Sequence, residues 1–202
     1  PFSKQNYDYN DYIVVLSSPF DIDPPEKVKI KCKHILILND GSIHNLEIEG
    51  SLIVRKAKLD MKNCIIHSSD DTVGGIVVVT ESVISMENCE VYDGNVPGFF
   101  IEQSSVATIE GCHIHNVNHT LFATSISKFV SINNSKFHHS PHNGVHSYQT
   151  QIEITNSEFY STTFPSISAS NSQCTIKNVT VYDIEQNGIS LENIQDGEIS
   201  YC

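Results

Sequence analysis

Tryptophan is absent from the 202 residues, methionine occurs twice, and Arg55 is the single arginine. Aromatic residues make up 8% and apolar residues 39%. That is low for a compact globule, so a broad core of large side chains is not expected. No apolar run approaches the roughly 20 residues that cross a bilayer, so no membrane partner is expected. Pro1-Phe2-Ser3-Lys4 shows no charged leader ahead of an apolar stretch, and no signal peptide is read. No segment keeps a 3.6-residue apolar period for three turns, which argues against helices. Basic charge is scarce beyond residue 62. Residues 1–62 carry nine basic and nine acidic side chains, whereas residues 63–202 carry three lysines against fifteen acids. The whole net charge of −12 therefore lies in the second segment. Such a surface repels phosphate backbones and excludes general nucleic-acid binding. It also disfavours polyanionic sugars and suits neutral or cationic partners. No cofactor motif is present, and none is expected.

What is there is a repeat. Met61-Lys62-Asn63-Cys64-Ile65-Ile66-His67 returns as Met86-Glu87-Asn88-Cys89-Glu90-Val91-Tyr92 and as Ile109-Glu110-Gly111-Cys112-His113-Ile114-His115. It continues through Ile132-Asn133-Asn134-Ser135, Ile154-Thr155-Asn156-Ser157 and Ile176-Lys177-Asn178-Val179 to Ile199-Ser200-Tyr201-Cys202. The anchors 64, 89, 112, 135, 157, 179 and 202 lie 22 to 25 residues apart. Asn45-Leu46-Glu47-Ile48 reads as a degenerate earlier copy. Each copy is a strand, a tight turn and a second strand. Asn or Gly at the second turn position suits a left-handed backbone. A third strand, often opened by Gly, follows as Gly75-Ile76-Val77-Val78-Val79, Gly98-Phe99-Phe100-Ile101-Glu102 and Gly144-Val145-His146-Ser147-Tyr148. Three short strands per period and a period in the low twenties predict an all-β, right-handed, single-stranded parallel β-helix. It would have about seven to eight coils of 22–25 residues.

The predicted inward columns are Met61, Met86, Ile109, Ile132, Ile154, Ile176, Ile199 and Ile66, Val91, Ile114, Phe137, Phe159, Val181. Residues 1–35 lack the repeat and are expected to cap the winding, with residues 36–202 forming the β-helix repeat domain. That domain ends inside a repeat at Cys202, so the rest of a longer polypeptide is expected.

Cys64, Cys89, Cys112 and Cys202 share the anchor column with Ser and Val. The reading is reduced, buried thiols acting as small apolar residues, which points to the cytoplasm. Adjacent-coil spacing also allows a disulfide at Cys64–Cys89 or Cys89–Cys112. Seven of the ten histidines fall between 113 and 146. One column reads His67, Tyr92, His115, His138, Tyr160, Tyr182, a stacked His/Tyr ladder. As metal ligands, the candidates are His115, His138 and His142; the ladder reading needs no metal.

The Asn-Cys/Ser-x-apolar-His/Tyr copies resemble the pectin-lyase-like superfamily, and within it the parallel β-helix repeats of carbohydrate-binding and sugar-hydrolase (CASH) domains. The resemblance covers roughly residues 36–202. It implies polysaccharide lyases, hydrolases and epimerases among the relatives, beside non-enzymatic repeats. It also implies that any chemistry sits on the outer face of the Gly-opened strand. By alternation that face would carry Val77, Val79, Phe100, Glu102, Phe122, His146 and Tyr148. None of its positions supplies the Asp and basic residues of a pectate-type calcium site. Asp70-Asp71 is the only adjacent acidic pair. Ser140-Pro141-His142-Asn143 is similar to the Asp-Pro-His-Asp motif of alginate epimerases but lacks both acids.

Two readings follow. One is a non-catalytic recognition or scaffold module, binding a protein partner or a neutral glycan through Val77, Val79, Phe100, Phe122 and Tyr148. The rival is a polysaccharide-active enzyme using Glu102, His146 and Tyr148 as an acid/base set.

Overall fold

The computed structural model describes residues 7–68, 75–123 and 127–202; side chains of residues 7–12, 122 and 123 are outside that description. Asp70-Asp71 also lies outside the described residues. No helix is present among the described residues, and hence none long and apolar enough to cross a membrane.

Among the described residues every strand pairing is parallel. Nine first strands form one sheet: Phe20–Ile22, Gly41–His44, Lys58–Lys62, Val83–Glu87, Val106–Glu110, Phe129–Asn133, Gln151–Thr155, Gln173–Lys177 and Asp196–Ser200. The second and third strands of all coils belong to one forked 15-stranded sheet. In the early coils they are fused into single ten-residue strands, Tyr7–Leu16, Val28–Ile37 and Leu46–Arg55. Leu46–Arg55 then pairs with two separate strands, Ile65–His67 and Val77–Thr80, where the sheet divides. Gly50 marks the bend: its φ is +147°, and a Cβ there would lie 1.9 Å from the Cys32 carbonyl oxygen. The winding is a parallel β-solenoid of about eight coils. The boundary expected at residue 35 falls inside Val28–Ile37, whose rung pairs with the coils on both sides.

The inward columns are the expected ones. Met61, Met86, Ile109, Ile132, Ile154, Ile176 and Ile199 are successive register partners. So are Ile48, Ile66, Val91, Ile114, Phe137, Phe159 and Val181. Phe137 and Phe159 stack with ring centroids 4.9 Å apart. Rungs about 4.8 Å apart place like side chains in direct contact, so each coil buries the face of its neighbour.

The corners are set by left-handed residues. Asn45, Asn63, Asn88, Asn134, Asn156 and Asn178 have φ between 49° and 55°, and Gly111 takes the same position at 61°. Asn pays little for this conformation because its amide bonds locally. The amides also bridge rungs: Asn178 Nδ2 donates to Asn156 Oδ1 at 2.8 Å, and Asn156 Nδ2 donates to Asn133 Oδ1 at 2.7 Å.

The anchor column does more than pack. Each small side chain donates to the carbonyl two residues back, as Cys64 to Lys62, Cys89 to Glu87, Ser135 to Asn133 and Ser157 to Thr155. It also accepts the anchor N–H of the preceding rung: Cys64 N–H reaches Cys89 Sγ, Cys112 N–H reaches Ser135 Oγ, and Ser135 N–H reaches Ser157 Oγ. A buried turn amide would otherwise lack a partner. Cys32, Cys64, Cys89, Cys112 and Cys174 are buried free thiols, and Cys202 is exposed. Burial pushes the Cys32 and Cys174 thiols up to about 11, which keeps them protonated and unreactive.

Candidate functional site

The outer face of the third strands differs from expectation at one end. Val77 and Val79 are fully buried and point into the core. Val77 pairs with Phe99 and Val78 with Phe100, so the outward residue is Val78. Aligning Gly75 with Gly98 slips this strand by one residue, and a one-residue slip exchanges the two faces. The run Ile76-Val77-Val78-Val79 is apolar throughout and has no alternation to betray the slip.

The corrected column is Val78, Phe100, Phe122, His146, Ser168 and Ser190 by register. The side chain of Phe122 lies outside the description. Beside it run Thr80 and Glu102 on the lower coils, and Tyr148, Ser170 and Glu192 on the upper ones. The coil of Leu121–Ala123 separates Glu102 from His146 and Tyr148. Two rungs put their backbones about 10 Å apart. Glu102 instead accepts a hydrogen bond from Thr80 Oγ1 on the opposite side, at 3.2 Å. Glu102 therefore does not stand on a coil adjacent to His146 and Tyr148, as the expected acid/base set required. His146 is half-buried, and burial lowers its imidazole below the usual range. Tyr148 is exposed.

Immediately after Tyr148 the chain turns a corner that holds a shallow groove of about 430 Å³. Its walls are side-chain amides: Gln149, Gln151, Asn171, Gln173 and Gln195. Gln149 and Asn171 take the left-handed corner conformation at φ 51° and 50°. Each donates its N–H to the next rung, Gln149 to Ser170 and Asn171 to Glu192. Gln151 and Gln173 are register partners on adjacent first strands. Thr150 and Ser172 between them point inward and are buried, and Thr150 N–H donates to Ser172 Oγ at 3.2 Å. The four amides thus stand in two columns, one rung apart; Gln149, Gln151 and Gln173 are exposed and Asn171 is half-buried. A smaller depression next to them includes Glu153, Asp196 and Glu198. The signal was present in Gln149-Thr150-Gln151 and Asn171-Ser172-Gln173, 22 residues apart, but Gln and Asn carry no charge or aromatic ring to draw notice.

The histidine ladder forms as a stack. From His67 through Tyr92, His115, His138 and Tyr160 to Tyr182, centroid separations run 5.2, 5.3, 5.0, 4.3 and 4.9 Å. Of the three expected metal ligands, His115 and His138 stand together there. His142 does not join them; it stacks between His119 at 4.6 Å and Phe164 at 5.3 Å. Two residues not singled out take its place. Glu90 and His113 are register partners on adjacent rungs, and with His115 they bring one ligand atom each to within 4.8 Å of one another. His115 Nε2 lies 3.0 Å from Glu90 Oε1, and His113 Nδ1 lies 3.8 Å from it. His113 Nε2 contacts His138 Nε2, and His138 Nδ1 contacts His139 Nδ1. Burial, with the neighbouring histidines and Lys136, pushes His138 down to about 3. Among the described residues this is the only group of three or more with metal-ligand spacing. The signal lay in His113-Ile114-His115, whose alternation puts both rings outward, and in the alignment of Glu90 with His113.

No curated protein matches the chain. Among solved structures, the chain of ORF18 from Geobacillus virus E2 is similar at a TM-score of 0.44 and 10% identity, over 95% of this chain and 52% of that one. The present chain therefore spans about half the length of that protein. The family model described as "Right handed beta helix region" matches residues 27–159 and 121–202. Together these ranges take in nearly all of the winding, and the chain belongs to the right-handed β-helix family.

Proposed function

We propose that the chain is a non-catalytic recognition module that holds a neutral glycan along the corner after the third strands. The observation that carries this reading is the pair of amide columns, Gln149/Asn171 and Gln151/Gln173, exposed at every position but the half-buried Asn171, beside the exposed ring of Tyr148. An amide offers a donor pair and an acceptor to each sugar hydroxyl. A tyrosine ring offers an apolar face with a polar tip. The rung repeat of about 4.8 Å is comparable to the length of one hexose, so successive coils present the same groups to successive units. The acids Glu153, Asp196 and Glu198 at the margin repel uronic chains and leave neutral ones unaffected.

The test is binding of neutral polysaccharides, with uronic polysaccharides as the contrast, by affinity electrophoresis and calorimetry. At least one neutral polysaccharide binds, and Gln151→Ala with Gln173→Ala weakens it by about tenfold or more, one lost polar contact per amide amounting to roughly 1 kcal/mol. Absence of neutral-glycan binding, indifference to the double substitution, or product release from any polysaccharide overturns the reading.

A further inference from the structure

We propose that Glu90, His113 and His115 hold one divalent transition-metal ion of the zinc class on the outer face of the second strands. The site is independent of the amide corner. His113 and His115 are two residues apart on the strand His113–Val117, so both rings leave the same face. Glu90 lies one rung below, directly opposite His113. Parallel stacking thus converts a two-residue histidine spacing and a single acid into three converging ligands.

The distances fit. Metal–ligand bonds of 2.0–2.1 Å at tetrahedral angles put ligand atoms about 3.3 Å apart. The two ligand pairs of known separation here are 3.0 and 3.8 Å, and all three atoms fall within 4.8 Å. Small side-chain rotations close the triangle. Two imidazoles and one carboxylate suit zinc, cobalt, nickel or copper; calcium and magnesium demand all-oxygen shells.

The surroundings set the tautomers. His113 faces Glu90 through Nδ1 and faces His138 through Nε2. Ligation at Nδ1 leaves the proton on Nε2, which donates to His138 Nε2. His138 then carries its own proton on Nδ1, which donates to His139 Nδ1. One consistent assignment therefore runs from the metal position outward through three histidines, as outer-shell partners of ligating histidines do. His115 is clamped between Tyr92 and His138 in the ring stack, at interplanar angles of 6° on both sides. Its orientation is fixed before any ion arrives. The side chains of His113 and Glu90 remain 41% and 37% exposed, so the ion has an entry path and an open position for water. A nearby cation, Lys136, is register partner of His113 on the next rung and is paired with Glu158 at 3.4 Å.

The experiment uses untagged, chelator-treated chain. Zinc binding is measured by competition with a chromophoric chelator, and cobalt by its visible absorption, alongside circular dichroism. The expected result is one equivalent of zinc per chain and a cobalt spectrum typical of nitrogen and oxygen ligands. Glu90→Gln and His115→Ala weaken zinc by tenfold or more with the β spectrum intact; His142→Ala leaves it unchanged. Glu90→Gln keeps the shape of the side chain, so it separates loss of a ligand from loss of the stack. No binding by the wild-type chain, binding unchanged in both ligand variants, or equal loss in His142→Ala overturns the site.

Discussion

At the scale of single residues, the corners and the anchor column divide the work of closing each coil. Asn156 sits at φ 50° and bonds to amides above and below. A β-branched residue there meets the left-handed penalty of about 1–2 kcal/mol. Asn156→Val is expected to lower the urea midpoint accordingly, while Asn156→Gly keeps most of the stability. At the anchor, Ser135 accepts the Cys112 N–H. Ser135→Ala leaves that buried donor unpaired at about 1–3 kcal/mol, whereas Ser135→Cys keeps an acceptor; paired chemical melts check the difference. Nothing in the residue types foretold this role, because Val179 occupies the same column and cannot accept a bond. His119 gives the fold a pH dependence. Burial, then the neighbouring His142 and His146, pushes its imidazole down to about 4, against about 6.5 in the unfolded chain. The native ring thus stays neutral where the unfolded ring takes up a proton. Its stabilising contribution is full above about pH 6.5 and is lost progressively as pH falls towards about 4. His119→Phe is expected to flatten the stability–pH profile across that window; an unchanged slope contradicts the assignment.

At the scale of strands, alternation decides which positions could be read in advance. First strands such as Val83–Glu87 and Phe129–Asn133 alternate cleanly, and their inward columns were legible, as were the Asn corners that follow them. The run Ile76-Val77-Val78-Val79 does not alternate, and Val77 and Val79 were assigned to the wrong face for that reason. The fused strands Val28–Ile37 and Leu46–Arg55 hid the early coils, because a bend at Gly50 replaces the turn that marks later ones. The His/Tyr stack was legible because every position of its column carries a flat ring, His or Tyr. The ligand triangle was not, because Glu90 and His113 meet only across a rung. Strand interiors answer for stability. Ile154 is fully buried between Ile132 and Ile176. Ile154→Asp places a charge where no partner exists and is expected to cost more than about 4 kcal/mol, enough to abolish the cooperative melt.

At the scale of the whole molecule, function and stability both come from stacking. The amide columns, the ring ladder and the ligand triangle are each assembled from residues 22 to 25 apart in sequence. No local segment contains a site; a register shift of one coil would dissolve all of them at once. The register itself is therefore the quantity to measure. Thr108 and Ser131 are partners on adjacent rungs, at about 4.8 Å, inside the Cα range of a disulfide. Asn133, two residues further on, lies beyond that range from Thr108. The account predicts that Thr108→Cys with Ser131→Cys cross-links under mild oxidation, and that Thr108→Cys with Asn133→Cys does not. A cross-link in the shifted pair, or none in the matched pair with the fold intact, would contradict it.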